Sequence, residues 1–240
     1  MVGNLTCCLR HCDRRVGHDA TSLLAVLRQA GGELVSAGRR YGPTTPDDYL
    51  LPSGSTFTGL AYRHPLLELD QRWLSDFNYF QIPTPQEGIA DCAYFADTNS
   101  FALTNVVWNL GPAHTERLAG GLHAWLATYA ALFRPRFAYI DWVGLNLTGE
   151  ITTDPATVCY LYWTNYYSPD LASRIGSGLF SAAPQGAAVS SNNGSVLYTV
   201  TDSFGDWTTA DVTSLIAYLR TRLPNVERYV PEPFDRIIEE

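Results

Sequence analysis

The chain has 240 residues, 46% of them hydrophobic and 17% charged, with 19 Gly and 14 Pro. These are ordinary globular proportions, which exclude disorder, collagen-like repeats and coiled coils. The formal charge is −8 and all 16 basic residues are Arg, which argues against a grip on phosphate backbones and removes lysine chemistry altogether.

Residues 4–11 read as a strand entering from the N-terminus. Asp19 offers an N-cap to a short helix striped by Leu23, Leu24 and Leu27. Gly31-Gly32 ends that helix, because glycine accepts the left-handed cap conformation. Residues 38–62, rich in Gly, Pro, Thr, Ser and Asp, read as a long irregular surface connection. A helical piece over 66–77 precedes a loop at Pro83 and Pro85. Residues 90–95 and 101–110 read as strands around the polar turn Asp97-Thr98-Asn99-Ser100.

The clearest helix spans 113–132. Leu118, Leu122, Trp125, Leu126 and Tyr129 share one face at helical spacing, Pro112 sits where a missing N–H costs nothing, and Pro135 lies beyond the far end. Residues 137–145 and 158–164 read as further strands, the second apolar on both faces and therefore central in a covered sheet. Ser168-Pro169-Asp170 starts a short helix with Leu171 and Ile175 inward, ended by Gly176 and Gly178. Residues 187–190 and 195–201 flank Asn193-Gly194, a strong hairpin signal. Thr208 with Asp211 reads as a variant capping box for a last helix striped by Val212, Leu215, Ile216, Leu219 and Leu223 and closed by Pro224.

This order predicts a single α+β domain over 1–240, a mainly antiparallel sheet with helices packed on it. Each of 1–133 and 134–240 can be read as strand, helix, hairpin and long helix, giving two similar halves without an alignable residue repeat. Five Cys, an odd number, in a chain with room for a large core predict no disulfide framework. Residues 1–13 contain no apolar stretch of the kind a signal peptide needs, so a cytoplasmic location is expected, with no membrane contact.

The candidate chemistry is sparse. Cys7-Cys8-x-x-His11-Cys12, with His18 nearby, offers donors that suit zinc. Strand alternation, however, sends Cys7 and His11 to one face and Cys8 and Cys12 to the other, so packing is expected and no metal. His114 and His123 lie on the long helix without an acid–base partner at reacting spacing. Nucleophile-elbow, P-loop and strand-linked dinucleotide patterns do not occur. Asp47-Asp48 and Glu239-Glu240 read as solvated pairs. The remaining signal is aromatic, six Trp and 14 Tyr, concentrated from Tyr160 to Tyr167.

A set of segments in the second half has a recognisable order: Arg134-Pro135-Arg136-Phe137-Ala138, then Tyr162-Trp163-Thr164-Asn165-Tyr166-Tyr167-Ser168 leading into the short helix. Gly194-Ser195-Val196-Leu197-Tyr198-Thr199, Asp202-Ser203-Phe204 and the terminal helix follow. In this order the chain resembles the immunity proteins of bacterial polymorphic toxin systems, the type catalogued as immunity protein fifty-two. The opening Tyr-Trp and Arg-rich pattern of that family is not found around Cys7 to Arg15.

The resemblance implies a cytosolic, non-enzymatic protein that binds and neutralises a cognate toxin, often a nuclease, using no cofactor and touching no nucleic acid directly. An acidic inhibitor gains fast association with a basic cleft. The expected contact residues are Asp47, Asp48 and Tyr49 in the polar connection, and Glu150 and Asp154 in a second acidic one. Two other readings compete with it. One is an enzyme or small-ligand binder with an aromatic pocket near Tyr160 to Tyr167; the other is a structural or phage-associated interaction protein.

Overall fold

The computed structural model describes residues 4–13, 20–37, 58–67, 89–95, 99–106, 112–142, 150–176, 178–191 and 193–230. The strand β1 (Asn4–Cys12) is buried on both faces, Leu5, Cys7 and Leu9 alternating with Thr6, Cys8 and Arg10. A strand with two buried faces belongs in the interior of a sheet. It pairs with β5 (Ser100–Val106) on one side and β6 (Pro135–Trp142) on the other.

The N-terminal flank continues outward from β5 through β4 (Ile89–Phe95) and β3 (Thr58–Arg63) to β2 (Glu33–Ala37). On the other side β6 is followed by β8 (Thr164–Tyr167), β10 (Val196–Thr199) and β9 (Ala187–Ser190). Every pairing in this nine-stranded sheet is antiparallel. A separate parallel pair joins β7 (Tyr160–Leu161) to β11 (Glu227–Arg228). The α+β architecture expected from the element order is the observed one. The boundary at 133/134 falls along the seam between β1 and β6, with five strands on one side and four on the other in different order.

Helix α1 (Ala20–Gln29) buries Val26 and Leu27 and stops at Gly31, whose φ is +76°. The long helix α2 (Pro112–Phe133) crosses one face of the sheet, where Phe133 stacks on Phe101 at 5.3 Å and Trp125 meets Tyr62 edge-on. Leu118, Leu122, Trp125 and Leu126 are buried as the spacing required, while Tyr129 is half-buried. The other face is covered near β8 by α3 (Pro169–Ile175) and α4 (Gly178–Ser181), with Phe180 stacked on Tyr167 at 4.5 Å. The ladder registers put Phe101 and Tyr167 on opposite faces, because Phe101 aligns through Leu9 with Ala138 while Tyr167 aligns with Phe137. The C-terminal part adds α5 (Phe204–Thr209) and α6 (Thr213–Leu219).

Several expected boundaries differ. Residues 33–37 and 58–63 are strands, the second taking up the end of the supposed surface connection over 38–62. Pairing of β3 with β2 and β4 overrides the loop-like composition of residues 58–62. Of the helical piece over 66–77, the described part is a 3-10 turn, Pro65–Leu67, and the rest lies outside the described residues together with Pro83 and Pro85.

The continuous strand over 158–164 is in fact two elements, β7 and β8. Asn165 Oδ1 accepts from the Tyr162 N–H (3.0 Å) and Asn165 Nδ2 donates to the Tyr162 carbonyl (2.8 Å), so a side chain replaces a neighbouring strand at the break. Gly176 ends α3 at φ +97°, but Gly178 opens α4. Thr208 is no cap: it lies inside α5, its hydroxyl donating to the Gly205 carbonyl, and α6 begins only at Thr213, where Asp211 accepts its N–H. The apolar stripe of that region is buried as expected.

Candidate functional site

One buried carboxylate, Asp141, lies only 3% exposed near the end of β6. Its Oδ1 accepts from the Trp142 N–H (2.6 Å) and its Oδ2 from the Trp163 N–H (3.0 Å). The Trp207 indole N–H lies 3.1 and 3.0 Å from the two oxygens. One side chain therefore ties β6, the break before β8 and α5 together. Burial pushes this carboxyl up to about 7, against the pull of the three N–H groups and of the Arg228 guanidinium.

Arg228 on β11 lies over the Trp207 ring at 4.3 Å and donates to the carbonyls of Ala210 (2.7 Å) and Trp207. Trp163 is held in turn: its indole donates to the Thr201 carbonyl (3.0 Å) and its own carbonyl accepts from the Val200 N–H (2.9 Å). Ser203 caps α5, and Glu116 on α2 accepts from the N–H groups of Phe204 (2.9 Å) and Gly205 (3.0 Å), which supplies a negative charge where orphan donors need one.

The acidic connection over 150–157 is anchored separately. Ile151 is buried, and its carbonyl accepts from Arg136 Nη1 at 3.1 Å. Thr157 Oγ1 accepts from the Thr152 N–H and donates to the Asp154 carbonyl. Asn225 holds the Ala156 carbonyl at 2.7 Å. The connection is thus pinned at both ends. Glu150 and Asp154 are both exposed, and Asp154 Oδ1 caps the 3-10 turn Pro155–Thr157 by accepting from the Ala156 N–H (2.9 Å). The other expected contact residues, Asp47, Asp48 and Tyr49, lie outside the described residues, as do Glu239 and Glu240.

The aromatic run is filled by its own rings. Tyr162 stacks on Tyr139 with centroids 3.8 Å apart, Tyr229 packs on Tyr162 at 5.0 Å, and Trp163 meets Phe204 at 5.2 Å. Tyr162, Trp163, Tyr166 and Tyr167 are all buried, and Tyr160 is half-buried. Cys7, Cys8 and Cys12 are free thiols inside the core, where burial raises each of them, Cys8 to about 11. His123 shares a hydrogen bond with Thr199 Oγ1 (3.2 Å) and burial lowers its proton affinity. Among the described residues no cluster of His, Cys, Asp and Glu could hold a metal ion, and His18 lies outside them. Among the same residues no helix is long and apolar enough to cross a membrane.

Sequence reasoning missed Asp141, Glu116, Trp207 and Arg228. A charged residue within the apolar segment Phe-Ala-Tyr-Ile-Asp-Trp was the available signal for the first. The others act across distances of many residues and left no local pattern. No family model matches the chain, and no curated protein matches it either.

Proposed function

We propose that this protein is an immunity protein that binds a cognate bacterial toxin in the cytoplasm and neutralises it by occupying its surface, without catalysis. The observation that carries this reading is where the resembling segments lie. Phe137 pairs with Tyr167, Tyr167 with Val196, Tyr166 with Leu197, and Ser203 caps the helix that meets Asp141, so the segments form one continuous patch of the fold. Their side chains are engaged with one another, and recognition then falls to exposed surface.

The acidic connection supplies such a surface. Its backbone is fixed by Arg136, Asn225 and Thr157 while Glu150 and Asp154 face solvent, so little ordering cost opposes binding. With a net charge of −8 the molecule suits a basic partner, such as a nuclease whose cleft grips phosphate. Co-expression with the product of the neighbouring gene tests the reading. Cells should survive that product only when this chain is present, and the two should co-purify at fixed stoichiometry. Survival without this chain, or no complex, would sink the proposal.

A further inference from the structure

The loop that joins β9 to β10 carries Asn193-Gly194. Asparagine amides are among the thermolabile groups of a protein, and the residue that follows governs how easily the amide reaches the main chain. Asn193 is the one Asn in the sequence that Gly follows; every other Asn precedes a bulkier residue. Asn193 and Gly194 are both exposed at the hairpin tip. Gly194 has φ +87°, and among the described residues a Cβ there would meet nothing nearer than Pro169 Cβ at 3.9 Å, so no neighbour crowds it.

The Asn193 amide is oriented by its partners. Its Oδ1 accepts from the Ser195 N–H at 3.0 Å and from the Ser191 hydroxyl. Two donors on one atom fix that end of the amide as oxygen. Ser191 Oγ is itself 2.6 Å from Ser195 Oγ, and Ser195 is buried, so the donor is anchored. Among the described residues Nδ2 makes no hydrogen bond. The Gly194 N–H donates to the Ser191 carbonyl at 3.0 Å, a bond between exposed residues, where local opening costs little.

We propose that Asn193 is a site of spontaneous covalent modification, its side chain closing on the Gly194 nitrogen and reopening with water to aspartate or isoaspartate. The Gly194 nitrogen loses its proton to hydroxide and bonds to Asn193 Cγ. The Cγ–Nδ2 bond then breaks, and the NH2 group takes up a proton and leaves as ammonia. Water opens the resulting imide at Cγ to give aspartate, or at the Asn193 backbone carbonyl to give isoaspartate. Attack places negative charge on Oδ1, where the Ser195 N–H and the Ser191 hydroxyl already stand as donors. Either product adds one negative charge to a stretch with no Asp, Glu, Lys or Arg between Arg174 and Asp202. Aspartate keeps an oxygen for both donors, so the hairpin survives. Isoaspartate lengthens the main chain by one carbon and loosens the register that pairs Ser190 with Val196. The inference does not depend on the toxin reading.

Incubation of the folded full chain at mildly alkaline pH, followed by peptide mapping with mass spectrometry, tests it. A gain of about one dalton should accumulate at position 193 before any other Asn, with isoaspartate among the products and a rate that rises with pH. Ser191→Ala should convert severalfold more slowly, Ser191→Thr, which keeps the hydroxyl, should convert like wild type, and thermal melting should show both folded. A folded chain that gains no mass at 193, or gains it first at another Asn, would overturn the proposal. A folded Ser191→Ala protein that converts as fast as wild type would overturn the role given to the Ser191 hydroxyl.

Discussion

Asp141 is a carboxylate in the core whose two oxygens are met by N–H donors from Trp142, Trp163 and Trp207. Asp141→Asn keeps the shape but turns an NH2 group toward one of those donors. An unmatched buried donor costs about 1–3 kcal/mol, so the urea midpoint should fall with an unchanged slope. The pH dependence has a definite sign. The folded carboxyl is raised from its ordinary 3.8 to about 7, so the folded chain holds more protons than the unfolded one between those values. The stability linked to this group is complete below the unfolded value and is lost as pH rises through about 7. Melting temperature should therefore decline over that window in wild type, and the Asp141→Asn profile should be flatter there. Parallel profiles for the two proteins would remove Asp141 as the titrating group.

At the scale of elements, α2 offers a paired test in adjacent glycines. A Cβ on Gly121 would lie 2.1 Å from the Leu66 carbonyl oxygen, so the helix and the turn Pro65–Leu67 touch through this residue. Gly121→Ala should force them apart at a cost of about 1–3 kcal/mol. Gly120 is exposed, and its Cβ would meet nothing within 4 Å, so Gly120→Ala should gain about 0.5–1 kcal/mol by restricting the unfolded chain. Denaturant curves of both variants check the opposite signs. The helical spacing of Leu118, Leu122, Trp125 and Leu126 made α2 legible, and alternation did the same for β1. The break between β7 and β8 was not legible, because an apolar run carries no mark of where its hydrogen bonds go. There the decision rests on Asn165 clasping Tyr162, and on Asp141 reaching Trp163 from another strand.

For the whole molecule, the proposed binding surface makes charge the quantity to vary. Asp154→Asn keeps an oxygen that can accept from the Ala156 N–H, so the cap survives while a charge is lost. Combined with Glu150→Arg it should slow association with the proposed toxin partner severalfold and make that rate less sensitive to salt, while melting stays within about 0.5 kcal/mol of wild type. Reversing Asp47 and Asp48 should act in the same direction if that connection shares the contact. Unchanged association kinetics in either case would take the residues out of the interface.

Composition, periodicity and turn residues by themselves determined the α+β class, the long helix, the hairpin at Gly194 and the buried stripes over 118–126 and 212–223, because each depends on spacing along a short stretch of chain. The tertiary structure alone decided that β1 and β6 lie side by side, that the acidic connection is pinned rather than free, and that Asp141 braces three elements. Those outcomes depend on pairings between residues far apart in sequence, and such pairings are fixed only when the chain closes and buried polar groups must find partners.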